Sequence, residues 1–277
     1  MTKDEEAEGP LPVYQVALPL STKTILLVKQ AIAEYRRDVG SRWRKLPDGA
    51  AAILVLAHLR HDQRLRDLAA ANGISPQTLS RWTYQVLARL AARAPRLDRV
   101  LAKAARTGLQ VILLDGVLVR TRRRTGKQNR RNYNGKHKCH GLMFLGITDT
   151  AGNLLWISQA YPGRSSDLTI ARYTQITAKL AAAGLAGVGD LGFSALDKGE
   201  DPDAPTIFTG RRAHPKRPLT AAEKQTNAIL SAERAANEHA FSDLKNWRIL
   251  AKLRIPAHRA TTLLRGLQVL TASHVTR

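Results

Sequence analysis

The spacing of apolar residues changes near residue 109, and this change restricts the possible folds more than any other feature of the sequence. Before it, apolar residues such as Val28 and Ile32 recur every three or four positions, which is typical of amphipathic helices. After it, apolar residues occur in short continuous runs of strand length. We therefore predict an all-helical region at residues 21–94 and an α/β region at residues 109–277.

The predicted α/β region alternates strands with helices. The strands are expected at residues 111–119, 142–148, 154–160, 188–190 and 206–208, and the helices at 167–183 and 221–244. This order favours an antiparallel meander of three strands, followed by a crossover helix and further strands. Residues 1–20 contain acids, a glycine and three prolines and are expected to form an irregular lead-in, and residues 95–108 are expected to be a connector.

Positive side chains outnumber acidic ones two to one, with 44 Lys and Arg against 22 Asp and Glu and a net charge of +22. Such an excess indicates a polyanionic partner, most often nucleic acid. A membrane surface is the alternative, but no apolar anchor or spanning run accompanies the charge, so no membrane partner is expected. The single cysteine and the acidic start, without a secretory signal, predict a cytoplasmic, nucleoid-associated protein.

Residues 62–94 resemble a helix-turn-helix, because a glycine-containing turn at Gly73 separates two short amphipathic helices. Ser75 and Pro76 suit the start of the second helix. Its first turns carry the side chains expected to read DNA bases, and these are Gln77, Thr78, Ser80 and Arg81. The alternative is an ordinary pair of antiparallel helices without DNA contact.

Two apolar runs each end in an aspartate. Asp115 follows a run beginning at Val111, and Asp190 follows a short run with glycines on both sides. A buried strand that presents a carboxylate is costly unless the charge is paired or binds a metal ion. The alternative for either aspartate is a role in a turn or a helix cap.

A third acid, Glu238, lies on a predicted helix. Ser231, Arg234 and Lys245 fall within about 60° of it on the same helix face, at about 100° per residue. A solvated, charged helix face is the alternative explanation.

A basic segment lies between the first two predicted strands. Its nine cations are Arg120, Arg122, Arg123, Arg124, Lys127, Arg130, Arg131, Lys136 and Lys138. Cations at this density repel one another unless anions lie between them, which predicts a hairpin that follows DNA phosphates. A solvated basic turn is the alternative. A second basic cluster at residues 211–217 is expected to form an irregular loop that faces DNA.

Five motifs in order resemble those of DDE transposases, specifically the IS5 group of the IS4-like superfamily of DDE superfamily endonucleases. The motifs are Leu114-Asp115-Gly116, Tyr133-Asn134-Gly135-Lys136, Tyr161-Pro162-Gly163-Arg164-Ser165-Ser166-Asp167, Gly189-Asp190-Leu191-Gly192-Phe193, and Arg234-Ala235-Ala236-Asn237-Glu238 with Lys245. The sequence departs from the family at Ser231, where many relatives carry a tyrosine.

The resemblance implies an RNase H-like catalytic domain, a mixed sheet with helices on both faces. It implies two divalent ions held by Asp115, Asp190 and Glu238, and the hard oxygen ligands favour Mg²⁺, with Mn²⁺ as a substitute. Arg234 and Lys245 would orient Glu238 or bind DNA phosphate, with simple ion pairing as the alternative. Asp167 is the rival for the second acid, although a helix N-cap role explains it without metal.

The predicted function is therefore that of a transposase. It would bind the terminal inverted repeats of an insertion sequence as a homodimer or higher oligomer, cut the strands, and join the freed 3′ ends to target DNA. Two alternatives remain, a catalytically silent DNA-binding protein derived from a transposase and an RNase H-like nuclease that acts on structured nucleic acid. The apolar stretch at residues 262–270 is expected to pack on the catalytic core, with a subunit contact as the alternative.

Overall fold

A computed structural model of the protein describes residues 17–41, 45–122, 127–196 and 206–274. Five helices precede the first strand in the described chain, and the predicted helical region is helical. They are α1 (Thr22–Asp38), α2 (Asp48–His61), α3 (Leu65–Ala70), α4 (Pro76–Arg93) and α5 (Leu97–Arg106). Helix α4 begins where the sequence predicts, because the Ser75 hydroxyl accepts a hydrogen bond from the backbone N–H of Thr78. Helix α3 begins later than predicted, because Asp62 adopts a left-handed conformation that ends α2.

The strands form one mixed seven-stranded sheet among the described residues. They are β1 (Val111–Arg120), β2 (Tyr133–Asn134), β3 (Cys139–Thr148), β4 (Leu154–Ile157), β5 (Tyr161–Pro162), β6 (Ala186–Gly189) and β7 (Ile207–Thr209). Strand β3 pairs antiparallel with β1 and β4, which is the predicted meander. Strand β6 pairs parallel with β1, and β7 pairs parallel with β6.

Five further helices lie between and after these strands in the described chain. They are α6 (Lys127–Arg131), α7 (Asp167–Thr174), α8 (Ile176–Ala182), α9 (Ala221–Lys245) and α10 (Ala257–His274). The single helix predicted at 167–183 is two helices, because Gln175 adopts a left-handed conformation with φ of 54°. The basic segment is not a simple hairpin, since α6 interrupts it. The strand predicted at 154–160 ends at Ile157, and β5 pairs separately with β3.

The sheet has a helical layer on each face, because buried side chains alternate along its central strands. On β1, Ile112 and Leu114 join a cluster with α5, α7 and α8, whereas Val117 and Val119 join a cluster with α9 and the N-terminal helices. Asp115 lies two residues before Val117 on β1, so its side chain is on the same face of the sheet as Val117, which is the face that α9 covers. Gly116 belongs to the α7 face.

Helix α10 connects the two halves of the molecule. Its most extensive contact is with α4, where the backbone of Gly266 lies against Leu87. It also reaches the sheet, because the Gln268 amide donates a hydrogen bond to the carbonyl of Leu155. The expected packing on the catalytic core is therefore present, and α4 of the helical region is a second, more extensive contact. No described helix is long and apolar enough to cross a membrane.

Candidate active site

Strand register places two of the predicted acids side by side. Leu113 of β1 is paired in parallel with Val188 of β6. Asp115 and Asp190 each lie two residues beyond this pair, so both carboxylates reach the same end of the parallel pair. Asp115 continues as part of β1, opposite Gly146 of β3, rather than ending the strand.

Asp190 also caps a short turn. Strand β6 ends at Gly189, and the Asp190 carboxylate accepts a hydrogen bond of 2.7 Å from the backbone N–H of Gly192. The cap role that the sequence left open for this aspartate is thus present. Within the described ranges, no hydrogen bond is made to its other carboxylate oxygen.

Helix α9 brings Glu238 to the same region. The Phe241 ring packs on Gly146, where a Cβ atom would lie only 2.6 Å from the ring. Buried Asn237 accepts a hydrogen bond from the Thr148 hydroxyl, which fixes the helix on β3. Asp115 and Glu238 consequently line one open cavity of about 370 Å³ together with Lys245.

The surroundings of Asp115 raise the pKa of its carboxyl to about 6. Burial is the largest cause of this increase, and the charges of Asp190 and Asp167 contribute to it. The Arg234 guanidinium and a hydrogen bond from the Gly116 N–H oppose this increase in pKa. Three carboxylates and one arginine therefore influence one another at this end of the sheet.

Asp167 is not the helix cap that the sequence predicts. Ser166 is the N-cap of α7, and its hydroxyl accepts a hydrogen bond from the N–H of Thr169. The Asp167 carboxylate instead lies against Gly116, where a Cβ atom would be 1.7 Å from Oδ1. That oxygen is buried and has no hydrogen-bond partner among the described residues. Burial, followed by the charge of Asp190, raises the pKa of Asp167, and Lys136 opposes the increase.

Asp167 approaches β1 from the α7 face, whereas Asp115 and Glu238 share the α9 face. Only a glycine at position 116 permits this approach, since any side chain there would overlap the carboxylate. The sequence shows a glycine directly after Asp115. It does not show which distant residue lies against that glycine.

The donor chemistry of these acids suits a hard divalent cation. Clustered carboxylates with raised pKa values, one with a buried unpartnered oxygen, are the groups that a cation would stabilise. In the described ranges, no three His, Cys, Asp or Glu side chains are positioned to hold one metal ion. The carboxylates of these acids therefore do not converge on a single point. Glu238 is exposed, so its side chain is free to change rotamer.

The two cations predicted beside Glu238 occupy different positions. Arg234 is partly buried, its charge acts on Asp115, and its Nε has no hydrogen-bond partner among the described residues. Lys245 is exposed and lines the cavity that Asp115 and Glu238 share. Neither forms an ion pair with a described acid, so the simple ion-pair alternative has no support in this part of the chain. Ser231 is exposed one turn before Arg234.

Most of the basic segment that the structure describes faces solvent. The exposed cations are Arg120, Arg122, Arg130, Arg131, Lys136 and Lys138. Arg123 and Arg124 lie outside the described residues, as does the side chain of Lys127. Lys136 is the member nearest the acids, since its charge acts on Asp167.

The predicted base-reading side chains lie at the start of α4. Gln77, Ser80 and Arg81 are exposed. Thr78 is half-buried, and its hydroxyl is hydrogen-bonded to Ser75 at 2.9 Å, so it is the least accessible of the four. Buried Ile74 and Leu79 hold the turn against the rest of the helical region.

Comparison with protein families identifies the region that holds these acids. A family model described as DDE superfamily endonuclease matches residues 114–272, more than half of the 277 residues. The match begins next to Asp115 and includes Asp190 and Glu238, and the mixed sheet with flanking helices is consistent with a DDE nuclease fold. Searches of curated proteins and of solved structures found no match. The chain belongs to the DDE superfamily endonucleases.

Proposed function

We propose that this endonuclease is a transposase of the IS5 group, with an RNase H-like catalytic domain at residues 109–277. The observation that carries the proposal is that Asp115 lies beside Asp190 through strand register and lines one cavity with Glu238 of α9. It would bind the terminal inverted repeats of an insertion sequence, cut the strands and join the 3′ ends to target DNA.

Asp115, Asp190 and Glu238 would hold two Mg²⁺ ions, with Mn²⁺ as a substitute. When bound, the metal ions would lower the pKa of a water molecule or 3′-hydroxyl and neutralise charge that develops on the phosphoryl oxygens. Arg234 would hold Asp115 in its charged form, since its guanidinium lowers the pKa of that carboxyl. Exposed Lys245, which lines the same cavity as Asp115, would contact the phosphate next to the scissile bond.

The basic segment would guide DNA to these acids. Its exposed cations form no ion pair with described residues, so they are available to phosphates. Lys136 connects the two regions, because it belongs to the segment and lies near Asp167. Arg122, Arg123, Arg124, Lys127, Arg130, Arg131 and Lys138 complete the proposed phosphate path.

The helical region at residues 21–94 would recognise the terminal repeats through the helix-turn-helix at 62–94. Gln77, Ser80 and Arg81 would contact base edges, with Thr78 in a supporting position. We also propose that the protein acts as a homodimer or higher oligomer on DNA, since two transposon ends must be joined together.

A catalytically silent DNA-binding protein is the second candidate. It is favoured by the lack of a converged three-ligand metal group within the described residues. A nicking experiment separates it from the transposase, because only an enzyme relaxes supercoiled plasmid in a metal-dependent way.

Glu238→Gln and Asp115→Asn should each reduce Mg²⁺-dependent nicking by about 10³-fold or more, because the amide keeps the shape of the side chain but loses the charge that holds metal. Glu233→Gln is the matched control, since Glu233 is also exposed on α9 but points to a different side of the helix. It should nick like the wild type. Wild-type rates in the Asp115 and Glu238 variants, with equal DNA binding, would remove these acids from the site.

A further inference from the structure

A cleft beside α7 contains a pair of stacked tyrosines, one half-buried and one exposed. Tyr161 of β5 and Tyr173 of α7 have ring planes only 2° apart and ring centroids separated by 6.0 Å. Tyr161 is anchored, because it packs against the buried cluster beneath α7 and its strand pairs with Met143 of β3. Tyr173 is 71% exposed, so much of its surface is open to solvent beside the anchored Tyr161.

Two arginines border the same cleft. Arg131 at the end of α6 and Arg164 after β5 are both exposed, and their backbones are hydrogen-bonded to each other at 3.4 Å. Neither forms an ion pair with any residue that the structure describes. The cleft encloses about 840 Å³, which lies within the roughly 300–1,000 Å³ range of ligand sites.

An open aromatic ring beside unpaired cations is the combination that recognises single-stranded nucleic acid. Aromatic rings stack on bases irrespective of sequence, while the cations contact phosphates. Bases inside a duplex are already stacked on their neighbours, so they are not available to such a ring. Scattered exposed tyrosines are ordinary at protein surfaces, but a stacked pair with two unpaired arginines is more specific.

The cleft lies next to the proposed catalytic acids. Ser166 and Thr169 line it, while Asp167, between them in sequence, turns toward Gly116 in the middle of β1. A DNA strand that leaves the acids across the first turn of α7 therefore reaches the tyrosines directly.

We propose that this cleft binds an unpaired DNA nucleotide next to the cleavage point, with the base on Tyr173 and the adjoining phosphates on Arg131 and Arg164. The proposal rests on the proposed function, because it assumes that DNA is the substrate. The proposed ligand of the cleft is a single-stranded DNA extension. Neither the proposed phosphate contacts of the basic segment nor base reading by the helix-turn-helix requires such an extension.

The test compares the affinity of the full-length protein for two DNA probes without divalent metal, so that binding is measured apart from cleavage. One probe is a blunt duplex, and the other is the same duplex with a short oligo-dT tail that ends in 2-aminopurine. We expect about tenfold tighter binding of the tailed probe, together with quenching of the 2-aminopurine on stacking. Tyr173→Ala should bind both probes equally and lose the quenching, whereas Tyr173→Phe should keep both.

The controls separate a local effect from misfolding and from failure of the proposed function. Tyr84→Ala removes another exposed tyrosine, at 43% exposure on α4, and should keep the tail preference. Arg131→Ala with Arg164→Ala should weaken tail binding and reduce its dependence on salt. Equal affinity of the wild type for both probes, or a preference that survives Tyr173→Ala, overturns the cleft proposal. If the blunt duplex binds and plasmid is nicked, the proposed function stands regardless of that outcome.

Discussion

At the scale of single residues, Asp115 links protonation to metal binding. Its pKa of about 6 means that the carboxyl is partly protonated just below neutral pH, and a metal ion must displace that proton. We expect Mn²⁺ affinity to fall about tenfold for each pH unit below about 6 and to level off above it. Calorimetric titration across this interval measures the effect, and Asp149→Asn serves as a control that should keep the profile. A Mn²⁺ affinity independent of pH would show that Asp115 is not a ligand.

Asp167 and its neighbour Ser166 give opposite predictions for stability. The folded-state pKa of Asp167 is raised, so its stabilising contribution is present at low pH and is lost as pH rises through that pKa. Asp167→Asn should therefore raise the melting temperature of the metal-free protein at neutral pH and have less effect near pH 4, roughly where an unperturbed aspartate titrates. Ser166→Ala removes the N-cap and should cost about 0.5–2 kcal/mol at both pH values. Destabilisation by Asp167→Asn at neutral pH would contradict the raised pKa of Asp167 in the folded protein.

At the scale of secondary-structure elements, substitutions in α4 test whether α3 and α4 recognise DNA sequence or form an ordinary pair of packed helices. Gln77→Ala and Arg81→Ala should each lower discrimination between terminal-repeat and random DNA by about 1–3 kcal/mol, because contacts with base edges carry the sequence information. Arg99→Ala removes an exposed cation from α5 and should leave that ratio unchanged. The measurement is competition binding at fixed salt. Discrimination that survives both α4 variants would assign α3 and α4 to packing alone.

The elements also show where local sequence patterns are sufficient. The start of α4 follows from Ser75 and Pro76, and the start of α9 agrees with its capping box of Thr220 and Glu223. The break between α7 and α8 could not be predicted, because Gln175 adopts a left-handed conformation that carries no glycine or proline signal. Helix α6 was not predicted either, because this short helix lies within the basic segment, where the density of positive charge dominates the sequence pattern.

At the scale of the whole molecule, α10 makes the helical region and the sheet depend on each other. A Cβ atom at Gly266 would lie 2.9 Å from the Leu87 side chain and 3.2 Å from its carbonyl. Gly266→Val should therefore separate α10 from α4 and destabilise the protein by about 1–3 kcal/mol. Gly49→Ala in α2 is the control, because a Cβ there meets no atom within 4 Å and should be neutral or stabilising by up to about 1 kcal/mol. Thermal melting compares the two, and a wild-type melting curve for Gly266→Val would contradict this packing.

The sequence by itself determined the features that depend on neighbouring residues. These are the change from helix to strand near residue 109, the two apolar runs that carry Asp115 and Asp190, and the helix face that carries Glu238. Periodicity and capping are local, so a single sequence is enough to predict them. The structure confirms the mixed α/β class that these local patterns predicted. The catalytic roles of Asp115, Asp190 and Glu238 stay predictions.

Only the tertiary structure decided which distant segments meet. The pairing of Leu113 with Val188 brings Asp115 and Asp190 together, and the missing side chain at Gly116 admits Asp167 from the opposite face of the sheet. Such contacts depend on strand register and on shape complementarity between surfaces far apart in the chain, which no local pattern encodes. For this reason the sequence assigned Asp167 to a helix cap, and the folded chain places it against Gly116 of β1, next to Asp115.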